Sequence, residues 1–295
     1  MAGGPYRQPA PGGRASPAPE PRYAPMTRRT ERLLRILRSV PVLLLAIAAI
    51  ALERPWLLGA AIAWGIGVVV MSRLTARSLN ARLKALAGTL AREGDPYVAQ
   101  RGLEALVADA RGYPGFHSVG LLFLGIARAR GGDIDGAIEL LYVVHEGGWL
   151  ERRVVWQAWL MPWISQLHAA RGELDLAEEW LELARKKLPP ERQQAMVSAE
   201  TLVALRRGRD EDAVARIEAY VEKAAPGDPV ANHFALLRAF ARSRSGRPLP
   251  DDEVRRVVAD CLASPGRALP LEKWWAELAA FVEAHSPKPP APLSS

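Results

Sequence analysis

ISQLHAARGELDLAEEWLELARKKLP, residues 164–189, holds two apolar helical stretches on either side of Gly172. A glycine there supplies the left-handed position that ends a first helix. The acid beside it, Glu173, suits the start of a second. Ala177, five residues after the glycine, lets the two helices approach, and Leu181 one turn later fills the space between them. Ala184 and Pro189 complete the unit. Such an αα-hairpin cannot bury its apolar face alone, so copies of it must stack.

Copies are present. Gly94, Gly132, Gly172, Gly208 and Gly246 follow one another at spacings of 38, 40, 36 and 38 residues. Five residues after the first four stand Ala99, Ala137, Ala177 and Ala213, and nine residues after them Leu103, Leu141, Leu181 and Ile217. An acid follows the glycine in Gly94-Asp95, Gly132-Asp133 and Gly172-Glu173. GIARARGGDIDGAIELLYVV (125–144) carries the small, glycine, alanine and large positions at Gly125, Gly132, Ala137 and Leu141. TLVALRRGRDEDAVARIEAYVEKAAP (201–226) keeps Gly208, Ala213 and Ile217 but has Tyr220 where a later small residue is expected.

The pattern resembles the tetratricopeptide repeat over residues 80–260. It departs from that repeat in period, which is usually about 34 residues, and in the RPLPDDE insertion after Gly246. The resemblance implies an all-α protein whose residues 72–285 form a TPR-like α-solenoid of about five helix pairs. An irregular helical bundle is the rival fold. It also implies a protein or peptide client bound in a concave groove lined by the first helix of each pair. Mapping from the turn glycines places Val119, Leu122, Trp159, Gln166, Leu202, His233 and Leu236 in that groove.

Two uncharged segments precede the repeats: VPVLLLAIAAIAL at 40–52 and WLLGAAIAWGIGVVVM at 56–71, parted by Glu53-Arg54-Pro55. One helix across both would measure about 48 Å, too long for a single span. It would also bury Glu53 and Arg54 in mid-bilayer beside a proline. A transmembrane helical hairpin turning at 53–55 removes both difficulties. The small residues Gly59, Ala63 and Gly67 recur every fourth position and are expected to face the first helix. Because both segments are short against a span of about 20 residues, a re-entrant hairpin in one leaflet is a rival. A cleaved signal peptide is another.

The net charge is +7 and the pI about 9.8. That basicity is not a nucleic-acid footprint. Residues 1–39 carry +6 and 72–92 carry +5, while 93–295 sum to −4. Basic residues on both outer flanks place both termini in the cytoplasm. The expected home is the bacterial inner membrane, since the Ala-, Arg-, Gly- and Pro-rich composition is that of a high-GC bacterium. Residues 1–27 and 286–295 read as disordered tails, and 28–39 as a basic juxtamembrane helix on an anionic leaflet. The layout is similar to that of several bacterial envelope-assembly proteins and implies a scaffold or adaptor for membrane complexes. The alternative, from another class, is a membrane-shaping or lipid-sensing hairpin with a self-associating helical domain.

No catalytic, metal or cofactor motif emerges. The five histidines (117, 145, 168, 233, 285) and Cys261 lack metal-ligand spacing. His168 reads as structural, and Asp133-Ile-Asp-Gly136 as a helix start rather than a calcium loop. The expectation is a binding protein without cofactor, not an enzyme. Trp149, Trp156, Trp159 and Trp163 are the local concentration of aromatics, with Pro162 bending their helix. Trp156 and Trp163 are expected in the core and Trp159 in the groove.

Overall fold

A computed structural model describes residue 23 and residues 28–92, 96–150, 154–223, 229–263 and 269–286. Among them every regular element is helical, twelve α-helices joined by short turns. The first two are α1 (Arg28–Ala51) and α2 (Pro55–Arg92). Both overrun the boundaries that hydropathy suggests. The basic stretch 28–39 is continuous with the apolar 40–51, and α2 runs unbroken through Met71. Charge changes where a helix is solvated, but by itself it does not end one.

The turn between them is built on a left-handed residue. Glu53 has φ +50°, the Arg54 amide donates to the Ala49 carbonyl at 3.1 Å, and the Glu53 amide donates to Ile50 at 3.3 Å. Pro55 then opens α2, where a missing N–H costs nothing. The seam between the helices differs from expectation. Ala61 and Gly65 face α1, with Val42 Cγ2 3.9 Å from where a Gly65 Cβ would lie, and Ala49 is buried opposite. Gly59 and Gly67 have nothing within 4 Å of that position. Ala61 and Gly65 are also small and also one turn apart. Several small stripes wind round α2, and spacing cannot choose among them.

The remaining helices come in pairs. The far end of α2 packs on α3 (Pro96–Asp109); α4 (Pro114–Gly131) pairs with α5 (Ile134–Gly147) and α6 (Val154–Arg171) with α7 (Leu174–Lys187). Next, α8 (Val197–Arg206) pairs with α9 (Asp210–Val221) and α10 (Pro229–Arg244) with α11 (Asp251–Leu262). A last helix, α12 (Ala276–His285), follows.

The turn glycines act as their spacing requires. Gly132, Gly172, Gly208 and Gly246 have φ between +72° and +97°. At each, the next amide reaches back to close the helix end: Asp133 to Arg128, Glu173 to His168, Arg209 to Ala204 and Arg247 to Arg242, all at 2.8–2.9 Å. This is the Schellman arrangement. Gly94 lies outside the described residues. Ala99, Ala137, Ala177 and Ala213 are fully buried, as are Leu103, Leu141 and Ile217, with Leu181 nearly so. The acids after the glycines divide. Asp133 caps α5, accepting from the Gly136 amide at 2.9 Å. Glu173 makes no such cap, because its carboxylate turns instead to His168 and Arg171.

One core runs from Leu79, Leu83 and Leu90 on α2 through every pair to Leu278 on α12. A smaller cluster between α10 and α11 centres on Leu236, Ala239, Val254 and Val258. Thus α2 is two things in one helix. Trp56, Ile62, Ile66, Val70 and Leu74 are uncovered on its first half. Its second half buries leucines in the helical domain.

Candidate functional site

The seven groove residues do not share one exposed surface. Val119, Leu122, Leu202 and Leu236 are buried, the first three in the main core and Leu236 in the smaller cluster. Gln166 is half-buried and Trp159 is 48% exposed. Turn spacing locates the first helix of each pair correctly, but not which of its faces the next pair covers.

Trp159 belongs to a small uncovered aromatic patch. Val155, one turn earlier on α6, is 47% exposed, and Phe123 of α4 lies 6.4 Å from the Trp159 ring. Trp156 stands edge-on to the same Phe123 at 6.2 Å. Trp156 and Trp163 are half-buried against the core rather than inside it. The fully buried indole is Trp180, on α7, which the run of tryptophans did not single out.

Trp180 belongs to a polar chain inside the domain. Its Nε1–H donates to the Tyr142 hydroxyl at 3.2 Å, and Tyr142 Oη lies 2.7 Å from His168 Nε2. His168 Nδ1 is 2.6 Å from Glu173 Oε2, and Arg171 holds the other Glu173 oxygen at 3.0 Å. The direction of the chain follows. Burial pulls the His168 pKa down, with Glu173 opposing, and pushes the Tyr142 phenol up. A neutral imidazole therefore donates from Nδ1 to Glu173 and accepts a hydrogen bond from the Tyr142 O–H at Nε2. The chain of hydrogen bonds ties α5, α6 and α7 together.

His233, on α10, is half-buried as a residue, while both its ring nitrogens are shut off from water and have no hydrogen-bond partner among the described residues. Burial and the nearby Arg130 cation lower its pKa to about 4. The Arg130 guanidinium itself donates to the Leu90 carbonyl at the end of α2, 2.7 Å away. Cys261 is half-buried, its thiol pushed up to about 11 by burial and by Glu272 and Asp260. It stays a thiol at neutral pH.

The least expected feature is the C-terminal segment. Residues 269–285 fold back across the ends of several first helices, with Leu269, Leu271, Trp275 and Leu278 buried. Arg206, the last residue of α8, donates to the Trp274 carbonyl at 3.0 Å and also to the Ala170 carbonyl near the end of α6. Its guanidinium lies 4.5 Å over the Trp275 ring. Arg244, the last residue of α10, bridges Asp210 at 3.2 Å and Glu277 at 3.3 Å. Lys273 sits against Gly132, where a side chain would begin 3.0 Å from its Nζ.

Known protein families, characterised proteins and solved structures were all compared with the chain, and none matches. The functional reading therefore rests on geometry.

Proposed function

We propose that the protein is a membrane-anchored, cytoplasm-facing scaffold whose TPR-like stack of helix pairs binds a protein or peptide client. The observation that carries this reading is α2. Its apolar, uncovered first half continues in one rigid helix into leucines at the heart of the helical domain. Such a helix both anchors the domain and fixes its stand-off from the bilayer. The apolar helical stretches Arg32–Ala51, twenty residues, and Pro55–Leu90, thirty-six, are each long enough as helix to reach across a hydrocarbon core of about 30 Å, which favours full crossings over a re-entrant loop. The turn glycines in left-handed conformation and the buried alanines support the likeness to tetratricopeptide pairs. The aromatic patch at Trp159 is the client surface this reading favours, since exposed indoles anchor interfaces.

The test is a photo-reactive residue in place of Trp159, introduced into the full chain in its native membrane. A defined protein adduct that vanishes when the photo-reactive residue is moved to the exposed Ala195 supports a client there. Cross-links only to lipid or to other copies of the chain would favour the membrane-shaping alternative.

A further inference from the structure

Arg206 and Arg244 have a common design. Each ends a first helix, where the helix dipole favours a cation. Each has one partner in the stack: the Ala170 carbonyl for Arg206, the Asp210 carboxylate for Arg244. Each has a second partner in the C-terminal segment: the Trp274 carbonyl and Trp275 ring for Arg206, the Glu277 carboxylate for Arg244. Phe240 of α10 completes the seat, edge-on to Trp275 at 5.0 Å and to Phe281 at 5.5 Å. Each arginine therefore keeps a partner in the stack that does not belong to the C-terminal segment. A guanidinium, an arginine–carboxylate pair and an aromatic wall form a receptor for one chemistry: an aromatic side chain followed two residues later by a carboxylate.

We propose that residues 269–285 are an intramolecular ligand, occupying in cis a docking surface on α8 and α10 for a partner segment bearing an aromatic residue and, two positions on, an acid. The partner gains access by displacing Trp275 and Glu277. This rests on the scaffold reading only in taking the partner to be a protein segment. It differs in naming a second surface, one closed in the resting chain, and the chemistry that opens it.

Two measurements decide it. The first is native-state hydrogen exchange on the full chain in detergent micelles. Amides of α12 should exchange by a local opening, faster than those of α6 and α7. If α12 exchanges only when α6 and α7 do, the segment is permanent core and the proposal fails. The second is fluorescence anisotropy with a labelled peptide of residues 269–286. It should bind a chain ending at Ala263 at least about tenfold more tightly than the full chain, and lose at least about tenfold when its Glu277 is replaced by Arg. A folded truncated chain that leaves the peptide free overturns the proposal. Should truncation unfold the chain, the full-length Glu277→Arg variant takes its place, and there too a peptide left free counts against the proposal. Reporters placing the domain outside the cytoplasm would sink the topology of the scaffold reading and leave the peptide result standing.

Discussion

The Tyr23 ring lies beneath the Arg128 guanidinium, 5.4 Å from centroid to carbon, and its hydroxyl is 3.4 Å from Arg128 Nη2. Tyr23 precedes α1 and Arg128 follows α2, so the two residues flank the whole hairpin. Tyr23 is buried among core residues of the helical domain. Such a contact is compatible with a bilayer only if the segments before and after the hairpin are on the same side. It is independent of the arginine count and bears only on the two flanks sharing a side; the flanking arginines are what point to the cytoplasm.

Reporters fused at residue 20 and at residue 290 should therefore both report cytoplasm. A periplasmic signal at residue 290 with a cytoplasmic one at residue 20 would overturn the hairpin and return the signal-peptide reading.

Ala177 is fully buried, and its carbonyl accepts a hydrogen bond from Ser165 Oγ at 2.8 Å. The α6–α7 contact is thus close enough for one added side chain to matter. Ala177→Leu should cost about 1–3 kcal/mol by overpacking. Ala195→Leu, at an exposed position, should cost less than about 0.5 kcal/mol. Equal denaturant midpoints for the two variants would show that the helix pair does not depend on the alanine.

How far the sequence was legible depends on how local each cause is. The glycine, alanine and aliphatic positions were readable because each acts within one turn and its two flanking helices. Asp133 behaved as a cap, but Glu173 did not, because His168 offered its carboxylate a buried partner. The small stripe on α2 and the groove faces failed together. In both, several equivalent faces exist and only the neighbouring helix selects one. Lys273 lies against Gly132, 141 positions earlier in the chain, and no periodicity could have brought the C-terminal segment there.

His233 and His168 predict acid sensitivity. The unfolded chain takes up a proton at each near pH 6.5, whereas folded His233 resists until about 4 and folded His168 is also lowered. Between those values the unfolded state binds more protons, so stability falls as pH falls. The contribution is full above 6.5 and is lost progressively towards 4. For His233 the whole loss would be about 3 kcal/mol. Urea midpoints measured from pH 7 to pH 4.5 should drop in the full chain, and His233→Phe should flatten part of that drop. An identical slope in the variant would mean that His233 titrates normally in the folded protein.

The tryptophans separate the core from the proposed client surface. Trp180 is sealed and donates to Tyr142, so Trp180→Ala leaves a cavity and removes one hydrogen bond from the Tyr142 hydroxyl. It should cost about 3–5 kcal/mol. Trp156 and Trp163 are half-buried, and their truncation should cost less than that of Trp180. Trp159→Ala removes a ring that is 48% exposed and should shift the unfolding midpoint least of the four. If the ring anchors a client, the same substitution should weaken capture by about 2 kcal/mol or more. Iodide quenching checks the premise without any client. Replacing Trp159 by Phe should remove part of the quenchable emission, while Trp180→Phe should remove only unquenchable emission. If Trp159→Phe leaves the quenchable fraction unchanged, the indole is covered in solution and the client surface must lie elsewhere on the stack.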